Sequence, residues 1–223
     1  MKLFFRQFGT GPVFFILHGL FGLSDNWVTL GKRFGERFRV LIPDLRNHGR
    51  SPHSPLFDFP SLEQDILELI EQETDGAVML MGHSLGGRVA VNLALHHPEL
   101  IHKLVIVDIS LRKYPPSKEH LGLIEAMQSV DISRAGSRSE IEKQLRKLVP
   151  NLKLRQFLLK NIYWRERGQL AWRMNLPVIS ESLPAIHEKF PGSTVRTIES
   201  GTHWVHDDNP GEFYQVVSSF LES

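Results

Sequence analysis

The stretch Met79-Leu80-Met81-Gly82-His83-Ser84-Leu85-Gly86-Gly87 constrains this chain more than any other. A short apolar run stops at a glycine, presents a serine, and gives way to a pattern of helical period. The spacing Gly82-x-Ser84-x-Gly86 has a steric reason: a serine on a strained strand-to-helix turn needs neighbours, two positions to either side, that carry no bulky side chain. The hydroxyl is then left exposed. The backbone N–H of Leu85 falls at the positive end of the following helix, where a donor to an oxyanion is already in place. A lone Gly-x-Ser-x-Gly occurs by chance, but here both flanks fit, because residues 77–81 read as a buried strand and residues 88–97 as an amphipathic helix closed by Pro98.

Upstream, residues 3–8 read as a first strand and residues 13–17, five apolar residues in succession, as a buried one. The second run ends in His18-Gly19-Leu20-Phe21-Gly22. Two glycines just past a buried strand suit a backbone that must approach a reacting group, and Phe21 is nominated as the second N–H donor; the alternative is a plain glycine turn. Ser24 or Asp25 is expected to cap a helix through Trp27, Leu30 and Phe34, and residues 40–42 form another strand. The charged segment Asp44-Leu45-Arg46-Asn47-His48 is read as a loop brace, since loop polar groups commonly satisfy one another or the backbone. Ser61-x-x-Gln64 is a capping box for a helix with Leu62, Ile66, Leu69 and Ile70 on one face. Residues 104–107 form a further strand ending at Asp108. Strands alternating with helices predict an α/β fold, a mainly parallel sheet with helices on both faces.

A serine hydroxyl is a weak nucleophile until a base takes its proton, and the base needs a carboxylate to hold its tautomer and stabilise the imidazolium. Among 11 histidines, His203 is best placed, in a glycine-containing loop after the last expected strand at residues 194–198. Asp108 ends a strand parallel to the nucleophile strand, so both emerge on the sheet edge where such folds bind ligands. The order Ser84, Asp108, His203 is the serine-acid-histidine order of this architecture. Asp44, Glu199, Asp207 and Asp208 are weaker candidates for the acid, and the competing reading of Asp108 is a turn former at the entry to the next segment.

That segment changes texture. From Arg112 to Arg173 there are 14 Lys and Arg against 6 Asp and Glu, a balance of +8 inside a chain whose total is +1. Helical stretches are expected near residues 117–130, 137–149, 152–161 and 168–174, with no strand among them. The division read from this is a core of residues 1–111 and 177–223 interrupted by a helical cap, residues 112–176, with residues 176–179 leading back to the core. Phe157, Trp164 and Trp172 from the cap, with Trp204 beside the histidine, are candidate pocket walls; the bland reading makes the cap aromatics its own core. Residues 182–190 and 210–220 are expected helices, the latter capped by Asn209 with Pro210 in its first turn. The near-neutral total and the lack of a Lys/Arg run give no reason to expect nucleic acid. Zero cysteines exclude thiol chemistry, and with no membrane-span-length apolar run a cytoplasmic protein is expected.

The oxyanion-loop segment His18–Gly22, the Asp44-Leu45-Arg46-Asn47-His48-Gly49-Arg50-Ser51 loop, the Ser84 turn, Gly201-Thr202-His203-Trp204-Val205-His206 and the cap-closing Trp172-Arg173-Met174-Asn175 together resemble the α/β-hydrolase superfamily. The likeness is to small bacterial esterases related to abhydrolase-domain proteins. What the resemblance implies is hydrolysis of short- to medium-chain acyl esters without cofactor or metal, a small-molecule substrate, and no stated oligomeric state. An acyl thioesterase would use the same triad; a catalytically silent binding protein is the alternative of another class. The chain departs from the family in one place. Between Asn175 and Phe190 the family has a further strand and a loop that often carries the acid, where this sequence has only Leu176-Pro177-Val178-Ile179-Ser180.

Overall fold

The computed structural model describes residues 1–109, 118–183 and 205–222. Strands β2 (Val13–Leu17), β3 (Arg39–Pro43), β4 (Val78–His83) and β5 (Ile101–Val107) are parallel, and β1 (Phe5–Phe8) adds to β3 antiparallel, in the order β1-β3-β2-β4-β5. Successive residues of a strand face opposite ways, and β2 shows the result. Phe14 and Ile16 join Val40, Ile42, Met79 and Met81 in one core, while Phe15 and Leu17 join Leu41 and Leu80 in another. Helices α1 (Val28–Phe34) and α9 (Pro210–Glu222) cover the first face, and α2 (Phe59–Glu73) and α3 (Leu85–His96) the second. Burial on both faces is why these strands are unbroken apolar runs.

Two caps differ from expectation. The helix containing Ser61 starts earlier: the Asp58 carboxylate accepts from the Ser61 N–H at 2.8 Å, with Pro60 in the first turn. Proline lacks an N–H and has a helical φ, so it favours the position just inside a start. Gln64 then reaches Glu68 rather than the chain behind it. Residues 24–27 form a 3₁₀ turn that neither Ser24 nor Asp25 caps, because Asp25 is drawn to Arg6 and the Ser24 N–H donates to Asp44 Oδ1 at 2.5 Å. The Asn209 cap is as expected, its Oδ1 accepting from the Glu212 N–H at 3.4 Å.

The cap segment is not purely helical. Helices α4 (Lys118–Gln128), α5 (Arg138–Leu148) and α6 (Leu152–Leu159) lead into an antiparallel hairpin, β6 (Ile162–Glu166) and β7 (Gln169–Trp172), where residues 168–174 were expected to be helical. The hairpin follows from β-favouring aromatics on either side of Arg167-Gly168, with Gly168 at φ 82° supplying the turn. The expected connector is instead helix α7 (Leu176–Ser182), packed on α4. Ile124, Met127, Ile141, Leu145, Leu158, Ile162, Leu170 and Ile179 are buried in the same apolar cluster as α2 and α3. The segment expected to be a cap thus shares a core with the helices on one face of the sheet. The expected strand at residues 194–198 and the expected helix beyond Leu183 lie outside the described residues.

Candidate active site

Ser84 joins β4 to α3 with φ 50° and ψ −115°, a conformation that side chains disfavour. The surroundings enforce it. A Cβ on Gly82 would lie 2.3 Å from the Gly86 carbonyl oxygen, and one on Gly86 2.6 Å from the carbonyl oxygens of His18 and Leu17. The two glycines let the turn close on itself and press against the end of β2. The Ser84 N–H donates to the Val107 carbonyl at 3.0 Å, fixing the serine against β5. Leu85 opens α3, so its N–H has no acceptor within the helix.

Asp108 follows Val107, the register partner of His83. Asp108 and Ser84 therefore leave neighbouring parallel strands at the same level, strands spaced ~4.8 Å apart. Asp108 is exposed and has φ 47°. His203 and Trp204 lie outside the described residues; the description resumes at α8 (Val205–Asp208). There His206 is buried, stacked on Trp27 with ring centroids 4.1 Å apart and planes 11° apart, and lies 5.0 Å from the ring of His83. This stack joins three pieces of chain: the serine turn, the 3₁₀ turn at residues 24–27, and α8.

The segment expected to form the oxyanion loop is a turn closed by the Gly22 N–H donating to the Gly19 carbonyl at 2.9 Å. A Cβ on Gly19 would sit 3.2 Å from Ser84 Cβ and 2.7 Å from His83 Nδ1, so only glycine lets this turn rest on Ser84. Phe21 stands differently from its nominated role: its N–H donates to His48 Nε2 at 3.3 Å. A donor committed to an imidazole is not open to an oxyanion. Leu20, the second residue of the turn, has an N–H that the turn's own hydrogen bond does not use.

His18 and His48 are fully buried neutral acceptors. His18 Nε2 accepts from the Leu45 N–H at 3.0 Å while Nδ1–H donates to the Gly19 carbonyl; His48 Nδ1–H donates to the Arg46 carbonyl. Burial lowers His18 to about 4. It lowers His48 to about 3, helped by His18, whose ring centroid is 5.2 Å away. Around them the charged loop is a brace, as read from sequence. Asp44 accepts from the N–H groups of Ser24 and Arg50, and Arg46 forks onto Asp65 of α2 at 2.6 and 2.8 Å.

Of the expected pocket walls, Phe157 and Trp172 are partly buried against the larger core, whereas Trp164 is 51 % exposed and stands on the hairpin surface. Sequence reading missed Asn161, whose Nδ2 donates to the Phe21 carbonyl at 2.8 Å across 140 residues of chain. No local pattern marks that contact. Among the described residues no group of His, Asp and Glu could hold a metal ion, and no helix is long and apolar enough to cross a membrane.

Residues 12–140 match the family described as alpha/beta hydrolase fold. The zebrafish Danio rerio protein named sn-1-specific diacylglycerol lipase ABHD11 is 35 % identical over 92 % of this chain and 77 % of its own. That match runs over 245 aligned positions, more than the 223 residues here, so the relative carries residues within the matched span that this chain lacks. Escherichia coli esterase YbfF is 26 % identical over 97 % of this chain and 95 % of its own. A solved structure described as a marine microorganism esterase superposes with TM-score 0.91 at 32 % identity, covering 98 % of this chain and 99 % of the other.

Proposed function

Because this chain belongs to the α/β-hydrolase family, we propose that it is a serine carboxylesterase acting on short- to medium-chain acyl esters. Ser84 Oγ attacks the ester carbonyl carbon as His203 takes its proton, and Asp108 holds the imidazole and stabilises its charged form. The developing oxyanion accepts from the N–H of Leu85 and, with Phe21 engaged elsewhere, from that of Leu20. Collapse expels the alcohol, which receives the proton from His203 and leaves an acyl-serine. Water, deprotonated by the same histidine, attacks the acyl-serine, releases the acid and restores the hydroxyl.

The observation that carries this reading is the strained Ser84 turn with Asp108 level with it on the next strand. His203 is three residues before His206, whose ring packs beside the residue preceding the nucleophile. Relatives named lipase and esterase support an oxygen ester. A fluorophosphonate probe should label the parent protein and not Ser84→Ala, and a panel of esters and thioesters of graded acyl length should be turned over best as oxygen esters. An unlabelled, folded parent would sink the proposal.

A further inference from the structure

Phe21 holds a backbone conformation that a bulky side chain seldom adopts, φ 61°, at the turn resting on Ser84. Both polar groups of its backbone are engaged. The N–H donates to His48 Nε2 and the carbonyl accepts from Asn161 Nδ2. These two partners belong to one closed circuit. His48 follows Asn47, whose carbonyl and Oδ1 accept from the N–H and Nδ2 of Asn175 at 2.9 and 3.1 Å. Two residues earlier, the Arg173 N–H donates to the Asn161 carbonyl at 2.7 Å, and the Asn161 side chain returns to Phe21. The circuit passes from the oxyanion turn through the charged loop into the cap hairpin and back.

Asn161 is fully buried, and among the described residues its Oδ1 finds no hydrogen-bond partner. The amide orientation is fixed, since a carbonyl such as that of Phe21 accepts only from Nδ2. A buried acceptor left unmade is unfavourable for folding, so stability alone does not account for an asparagine here. We propose that Asn161 is a positioning residue: from the cap, it clamps the Phe21 peptide so that the preceding N–H of the turn faces the oxyanion. Seating of the cap and formation of the oxyanion hole are then one event. This rests on the ester-hydrolase reading.

The test is Asn161→Leu, matched in size, with Asn161→Ser as a second variant should the first not fold. Each is assayed for kcat and KM on a neutral short-chain aryl ester, for melting temperature, and for affinity toward an aryl trifluoromethyl ketone, which forms a tetrahedral adduct on serine. Misplacing one oxyanion donor predicts kcat and ketone affinity both lower by ~10²-fold, with KM within about threefold of the parent. The melting temperature should change little, because the lost bond and the removed orphan acceptor oppose each other. A fall in kcat with ketone affinity retained, or a parent-like kcat in both variants, would overturn the clamp while leaving the esterase reading intact. A parent protein that hydrolyses no ester and takes no fluorophosphonate would overturn that reading instead.

Discussion

The two buried neutral histidines make acid sensitivity a property of the Gly19–Gly22 turn and the charged loop packed on it. In the unfolded chain each histidine gains a proton near pH 6.5, whereas in the folded protein His18 and His48 stay neutral until about 4 and about 3. The unfolded state therefore binds more protons throughout that window, and stability falls as pH falls through it. Between pH 7 and pH 5 each histidine is expected to remove about 2 kcal/mol, because the folded form takes up almost no proton there. The two together remove up to ~4 kcal/mol, a large share of the 5–15 kcal/mol typical of a domain. The window lies above the ordinary carboxylate range, so acids contribute little to it. His48→Gln keeps an acceptor for the Phe21 N–H and a donor for the Arg46 carbonyl but cannot titrate. Urea unfolding of parent and variant at pH 7, 6 and 5 should give free-energy curves that converge by about 2 kcal/mol toward the acid side. Parallel curves would show that His48 is not held neutral by burial, and the account of the brace would fail.

Ser84→Ala is expected to lower turnover by ~10⁴ to 10⁶ with the fold kept, and Ser84→Gly to be equally inactive yet more stable by about 1 kcal/mol, since glycine relieves the φ of 50°; a Ser84→Gly protein that melts lower than the parent would contradict the strain. Asp108→Asn should keep the fold and reduce turnover by roughly 10⁴ through loss of the histidine's tautomer and charge partner; activity within a few-fold of the parent would remove Asp108 from the triad. The basic cap is expected to be mainly a solvated face, because Glu142 takes Arg146 and Arg155 and Asp208 takes Lys153. Salt should then affect an anionic and a neutral ester alike, and a selective loss for the anionic one at ionic strengths where the screening length falls to ~3 Å would show attraction instead.

Features written in adjacent residues were legible, and features made by distant ones were not. Gly82 and Gly86 announce the serine turn because the steric demand sits two residues away on either side, and the contacts their missing Cβ atoms avoid are the ones that demand implies. The apolar run 13–17 announces a strand buried on both faces for the same local reason. The cap hairpin was hidden because Tyr163, Trp164 and Trp172 serve a helix face or a strand equally well over so short a span. His48 meets Phe21 across 27 residues and Asn161 meets it across 140, and neither pairing leaves a trace in local spacing.

The deeper reason the site was only half visible lies in which residues carry its strain. Reading for left-handed backbone means reading for glycine, and glycines mark where the chain turns freely. Among the described residues, the non-glycine positions with positive φ are Phe21, Asn47, Ser84 and Asp108. They are the proposed oxyanion turn, the loop bonded to Asn175, the proposed nucleophile and the proposed acid. Each costs ~1–3 kcal/mol and persists only where its surroundings over-determine it. For three of them those surroundings are on view: glycine contacts and the Val107 carbonyl around Ser84, Asn175 on Asn47, and His48 with Asn161 on Phe21. Four such positions occur at the ends of β2, β3, β4 and β5, on the one edge of the sheet toward which those parallel strands run. That the fold gathers its strain at that edge, and holds Phe21 and Asn47 there with hydrogen bonds from Asn161 and Asn175, is why the chemistry is proposed at that edge.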